Sequence, residues 1–109
     1  MVRIVILYPQ SEGNWFKADY YRNHHIPLVI KLLEPYGLEK FEFDLGLANA
    51  DSPAPYFGIG YLTFQNAGQF QKALAAQGKT LMDDMPNYTR DVVIQTGEVI
   101  ESHSLQHAL

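Results

Sequence analysis

Two tyrosines and two histidines crowd one short stretch, Tyr20-Tyr21-Arg22-Asn23-His24-His25, directly ahead of Ile26-Pro27-Leu28. Histidine is the side chain whose unperturbed pKa lies nearest neutrality, so His25 is the first candidate for a general acid or base. On a helix Tyr21 lies one turn before His25 on the same face, where its hydroxyl can orient the imidazole or donate to a substrate oxygen. The bland alternative has His25 capping backbone carbonyls freed by Pro27, with Tyr21 as core. His24 sits about 100° round the helix from His25 and is the weaker of the two histidines.

Adjacent histidines make a poor helical chelate, because a metal-binding pair on one helix needs a spacing of three or four, and no His-Glu-x-x-His pattern is present. A single axial histidine could carry haem, but nothing else in the sequence calls for it. The expectation is chemistry without metal or cofactor. Among the carboxylates, Asp44 alternates with the apolar residues of its segment and reads as a surface group on the far face of a strand. Asp83-Asp84 could be a pair that shifts a pKa, or simply a solvated turn ahead of Pro86, which is the commoner case.

Large rings are numerous: Trp15, Phe16, Tyr20, Phe41, Phe43, Tyr56, Phe57, Tyr61 and Phe70. Some can line a pocket for a flat organic molecule, since such pockets are mainly apolar with few polar groups. Tyr20, His24, Phe41, Phe43 and Tyr61 are the candidates to touch a ligand in a cleft between the first helix and the sheet, with His25 and Tyr21 at its wall. The alternative is aromatic core and dimer interface.

The elements that must position these groups are readable from periodicity. Val2 to Tyr8 is β-branched and aromatic and ends at Pro9, the mark of a strand. Lys17 to Tyr36 carries apolar residues at helical spacing and stops at Gly37, with Pro27 predicting a kink beside the two histidines. Leu38 to Leu47 alternates as a second strand, with Phe41, Phe43, Leu45 and Leu47 on one side, and Asn49 to Pro55 is a loop. Tyr56 to Phe64 is a third strand, with Phe57, Ile59 and Tyr61 opposed to Tyr56, Leu62 and Phe64. Asn66 caps a second helix that Gly78 interrupts, Lys79 to Met85 forms a further turn or short helix, and Val92 to Ile100 is the last strand. A polar tail follows over 102–109.

This βαββαβ order predicts one α+β domain over 1–109, a ferredoxin-like fold with a four-stranded antiparallel sheet and both helices on one face. Strands one and three are apolar on both parities, while the helices cover only one face. A second copy of the chain is the economical cover, so a homodimer through the sheet is expected. With 47% hydrophobic and 18% charged residues the composition is globular, and a net charge of -4 with scattered Lys and Arg leaves no footprint for nucleic acid. The absence of cysteine excludes thiolate chemistry and fits a reducing, cytoplasmic setting. No run approaches the roughly 20 apolar residues of a membrane span, so no membrane partner is expected.

The stretch Phe16 to Leu28, with its aromatic, Asp19-Tyr20-Tyr21 and His25-Ile26-Pro27-Leu28, resembles the signature of the EthD-like family. Met82-Asp83-Asp84-Met85-Pro86-Asn87-Tyr88-Thr89 is similar to the Asp-x-Pro-Asn-aromatic-Thr segment before that family's last strand, and Leu7-Tyr8-Pro9 also fits. The resemblance implies a dimeric α+β barrel, the superfamily of muconolactone isomerases, polyketide cyclases, cofactor-free monooxygenases and haem-dependent relatives. It points to His25 as the family histidine. Some members are associated with ether degradation and others with dehydration or cyclisation of aromatic polyketides. The implied function is a small cofactor-independent enzyme acting on an aromatic, lactone or polyketide-like molecule by proton transfer or oxygenation, or else a non-catalytic dimeric binding or accessory protein.

Overall fold

A computed structural model of the chain describes residues 1–106, so the last three residues of the polar tail, 107–109, lie outside the described residues. Strands β1 (Val2–Pro9), β2 (Lys40–Leu45), β3 (Tyr56–Phe64) and β4 (Val93–Glu98) form one antiparallel sheet in the order β2-β3-β1-β4. The helical segments are α1 (Ala18–Tyr20), α2 (Ile26–Leu33) and α3 (Ala67–Asp84). The α+β ferredoxin-like arrangement expected from the pattern is the one observed.

Register decides which residues meet the helices. Ile4 stands opposite Leu62 and Thr96, and Ile6 opposite Gly60 and Ile94, so the even residues of β1 and β3 share a face. On that face Val2, Ile4, Leu62 and Phe64 pack with Val29 and Leu33 of α2 and Ala73 of α3 in the main core. Each large side chain buried there stabilises the fold by about 1.5–3 kcal/mol relative to exposure. The opposite parity presents Val5, Leu7, Ile59, Tyr61 and Val93, with no helix of the described residues over them.

Several boundaries differ from the pattern-based reading. Strand β2 is shorter than 38–47, and Leu45 and Leu47 are exposed, because pairing with β3 ends at Leu45–Gly58. Helix α3 runs through Gly78 to Asp84 rather than stopping there. The glycine keeps a non-left-handed backbone, a Lys79–Asp83 pair at 2.8 Å spans the following turn, and Leu81 packs on the core. Its start is as expected: the Asn66 side chain accepts from the Gln69 N–H at 2.9 Å, and the Gln69 side chain accepts from the Gln65 N–H at 3.2 Å. Phe57 parts company with Ile59 and Tyr61. The β1–β3 register shifts between Tyr8 and Pro9, and its ring stacks on Phe16 at 6.1 Å.

Candidate functional site: a carboxylate–histidine–phenol cluster beside an apolar cleft

Pro27 has no N–H to return to the carbonyl of Asn23, and its ring crowds that carbonyl. The chain meets this constraint by widening. Between α1 and α2, Tyr21–His25 forms a π-helical turn in which the Ile26 N–H reaches back to the Tyr21 carbonyl, and Pro27 falls in the first turn of α2. Such single-turn π insertions recur at functional sites. Its consequence is an inward pair and an outward pair. Tyr21 and His25 are 1% and 5% exposed, with rings stacked at 5.4 Å, whereas His24 lies on the surface with its ring 4.9 Å from that of Tyr20.

The His25 ring does not cap backbone. Its Nδ1 bonds Asp84 Oδ2 at 2.8 Å and its Nε2 meets the Tyr88 hydroxyl at 3.1 Å. Asp84 is therefore a partner of the histidine and not a solvated turn residue; only Asp83 is exposed, paired with Lys79. The second carboxylate oxygen accepts from Tyr20 at 2.6 Å and from the Asn87 amide at 3.0 Å. Asp84 is the last residue of α3, where the helix dipole disfavours a negative charge. Three side-chain donors offset that penalty.

Deeper in, Tyr8 donates its one proton to Tyr21 at 3.3 Å; its oxygen lies 3.4 Å from the Tyr88 hydroxyl, a contact between two oxygens whose protons point elsewhere. Rings close the remaining space. Phe43 sits 4.7 Å from Tyr21 and 5.9 Å from Phe16, and Phe41 packs against both core clusters. Asn14 ties the loop before α1 to the segment carrying Tyr88. Its amide donates to the Pro9 carbonyl at 2.6 Å, and its oxygen accepts from the Asp91 N–H at 2.9 Å. Thr89, fully buried, donates to the Trp15 carbonyl at 2.9 Å in the same strap.

Burial pushes the His25 pKa below its ordinary value, although the bond to Asp84 and that carboxylate's charge pull the other way. Burial would raise the Asp84 carboxyl, but its bonds from Tyr20, His25 and Asn87 and the His25 charge outweigh this and hold it low. An ionised Asp84 only accepts, so the Nδ1 of a neutral His25 carries the proton and Nε2 is the acceptor for the Tyr88 hydroxyl. Burial pushes Tyr21 up to about 12 and raises Tyr8 and Tyr88 as well, so all three are phenols at neutral pH. Among the described residues no three His, Asp or Glu converge to hold a metal ion.

Tyr61 does not join this cluster. It pairs with Val5 and Glu42 in the parity that faces away from the helices, so the sheet separates it from His25. The open space does lie between the first helical segment and the sheet, but away from the two residues expected at its wall. A cleft of about 90 Å³ lies between the sheet and the two longer helices, walled by Ile4, Leu62, Val29, Leu33, Gly78 and Leu81 among others, and His25 and Tyr21 are not part of its wall. The cleft and the cluster are neighbours nonetheless. Val29 is one turn beyond His25 on α2, and Leu81 is one turn before Asp84 on α3. Residue chemistry points to Asp84 only as half of an Asp83-Asp84 pair, and to Tyr8 and Tyr88 not at all. The signal that touches them is the resemblance, in Leu7-Tyr8-Pro9 and the Asp84 to Thr89 segment.

Fold and site together define a small ferredoxin-like α+β protein with titratable groups buried at the junction of its helices and sheet. The EthD domain model matches residues 17–91, more than half the chain and the part that contains His25, Asp84 and Tyr88. The chain belongs to the EthD family. It is similar to an EthD-like protein from Ralstonia eutropha JMP134, with 26% identity, 94% of this chain and 95% of that one covered, and a TM-score of 0.84. An ethyl tert-butyl ether D family protein from Bacillus halodurans C-125 matches at 21% identity over 90% and 97% of the two chains, with a TM-score of 0.65. SnoaB, a cofactor-independent oxygenase from Streptomyces nogalater, shares the fold at 10% identity, 93% coverage of each chain and a TM-score of 0.60. No protein of curated function matches the chain.

Proposed function

We propose that this protein is a cofactor-independent enzyme that moves a proton on a small aromatic, lactone or polyketide-like molecule bound beside the His25 cluster, with its apolar part in the neighbouring cleft. His25 is the acid–base group and Asp84 orients it. Tyr88 and Tyr21 are the phenols through which the proton is passed or a substrate oxygen polarised. The observation that carries the reading is the Asp84–His25–Tyr88 sequence of bonds at 2.8 and 3.1 Å, part-buried at Asp84 and buried at His25 and Tyr88. A carboxylate and an imidazole at this depth stabilise a fold less than apolar residues of the same volume would, and such perturbed pairs concentrate at functional sites. The family relationship and the oxygenase on the same fold support proton transfer or oxygenation without a cofactor.

The working unit in this reading is a homodimer in a cytoplasmic setting, its two sheets covering one another's open faces. A second reading, a dimeric module that binds a hydrophobic molecule without chemistry, is favoured by one observation: the cleft wall is almost wholly apolar, and both nitrogens of His25 are already engaged.

Proton abstraction next to a carbonyl separates the two readings. Uptake of deuterium from heavy water into the benzylic carbon alpha to the carbonyl of phenylacetone, followed by NMR, is expected to be accelerated by the protein. Replacing His25 with Ala is expected to reduce that acceleration by about 100-fold or more, with the dimer still folded. Equal rates in His25→Ala and the parent chain would dismiss the acid–base role and leave the binding module.

A further inference from the structure

Gly78 stands well inside the 18-residue helix α3, and its backbone is not left-handed. No turn or cap asks for a glycine there, and in a helix interior glycine is destabilising relative to alanine. Close approach of a neighbouring element does not ask for it either. A Cβ at this position would meet only the side chain of Leu74, at 3.0 and 3.4 Å, and that half-exposed side chain would have to give by a few tenths of an ångström. The position the missing side chain vacates is taken in part by Leu74, and Gly78 and Leu74 together line the cleft.

We infer that Gly78 sets the size of the group the cleft accepts, and that this group is a single six-membered aromatic ring with at most methyl-sized substituents. The half-exposed Leu74, Met82 and Ile94 form the rim through which the group enters. The wall offers water no polar partners, so an apolar occupant has no ordered solvent to displace. Dry apolar cavities of the order of 150 Å³ admit a benzene ring, and this cleft, at about 90 Å³ and open at its rim, is suited to one ring and not two. The inference rests on the cleft as the ligand site, and it holds whether the protein is an enzyme or a binding module.

The test uses the full chain with benzene and p-xylene as probes, read by NMR shifts of the wall methyl groups and by thermal unfolding. Gly78→Ala is expected to raise the melting temperature by roughly 4 °C, to weaken p-xylene binding at least tenfold and to weaken benzene less. Adding Leu74→Ala, which removes the only side chain the new methyl meets, is expected to recover p-xylene binding. A raised melting temperature with unchanged binding of both probes would overturn the inference, as would a lowered one, which would make Gly78 a packing requirement. A change in oligomeric mass instead of probe affinity would assign the space to a second copy and also overturn it. Loss of deuterium exchange in His25→Ala with Gly78-dependent probe binding intact separates failure of the acid–base reading from failure of this one.

Discussion

His25 and Asp84 give the chain a defined response to acid. Because burial lowers the His25 pKa, the unfolded chain takes up a proton first as the pH falls below about 6.5, and the folded form loses relative stability from there downward. Asp84 acts in the same sense at lower pH: its depressed pKa stabilises the fold above 3.8, and that contribution is lost as the pH falls through its folded value. Melting temperatures are therefore expected to be flat above pH 7 and to fall between pH 6.5 and 5, with the slope removed in His25→Gln. A parent chain whose melting temperature is unchanged over that range would contradict a neutral, buried His25. Asp84→Asn removes the charge that holds the His25 pKa up, so the His25 nitrogen resonances should titrate at still lower pH than in the parent chain. The loss of a charged hydrogen-bond partner should cost about 1.5–3 kcal/mol in denaturant unfolding.

Pro27 is what makes the first helical segment more than a scaffold. With its N–H absent, the π turn over Tyr21–His25 aims both rings at the core while Tyr20 turns outward to Asp84. Pro27→Ala restores a donor for the Asn23 carbonyl and favours a regular helix, in which one residue fewer per turn rotates Tyr21 away from Tyr8. Stability should change by no more than about 1 kcal/mol, because Pro27 stands in the first turn of α2 where proline is well tolerated. The deuterium-exchange rate is nonetheless expected to fall about tenfold or more. An unchanged rate would show that the π turn does not matter to the chemistry. The strap of Asn14 and Thr89 acts on the other side of the site, holding Tyr88 against the loop that leads into α1.

At the scale of the whole molecule, no helix among the described residues covers the second face of the sheet. Val5, Leu7, Ile59 and Tyr61 are half-buried only by one another and by flanking charges such as Arg3, Glu42 and Asp44, and Val93 is 53% exposed. A contiguous apolar surface of this kind is a mark of an interface. Light scattering at micromolar concentration should give about twice the 12.4 kDa chain mass, and Val5→Asp, at the centre of that face, should return the monomer. A parent chain found only at 12.4 kDa would end the paired-sheet picture. No helix among the described residues is long and apolar enough to cross a membrane.

Local pattern was enough to read the strands, the proline-disturbed helix, the Asn66 cap and the left-handed Gly37 stop, because each depends on residues a few positions apart. It was enough to single out His25 and Tyr21, because chemistry-bearing residue types and a helical spacing are both local. Only the tertiary structure decided that His25 lies against Asp84, 59 positions away, and Tyr88, 63 away, that Tyr61 falls on the opposite side of the sheet, and that the cleft opens at Gly78 instead of at His25. Register and the seating of α3 on the sheet set these outcomes. Both are properties of packing between distant segments, and a carboxylate beside a proline reads the same in a solvated turn as it does against a buried imidazole.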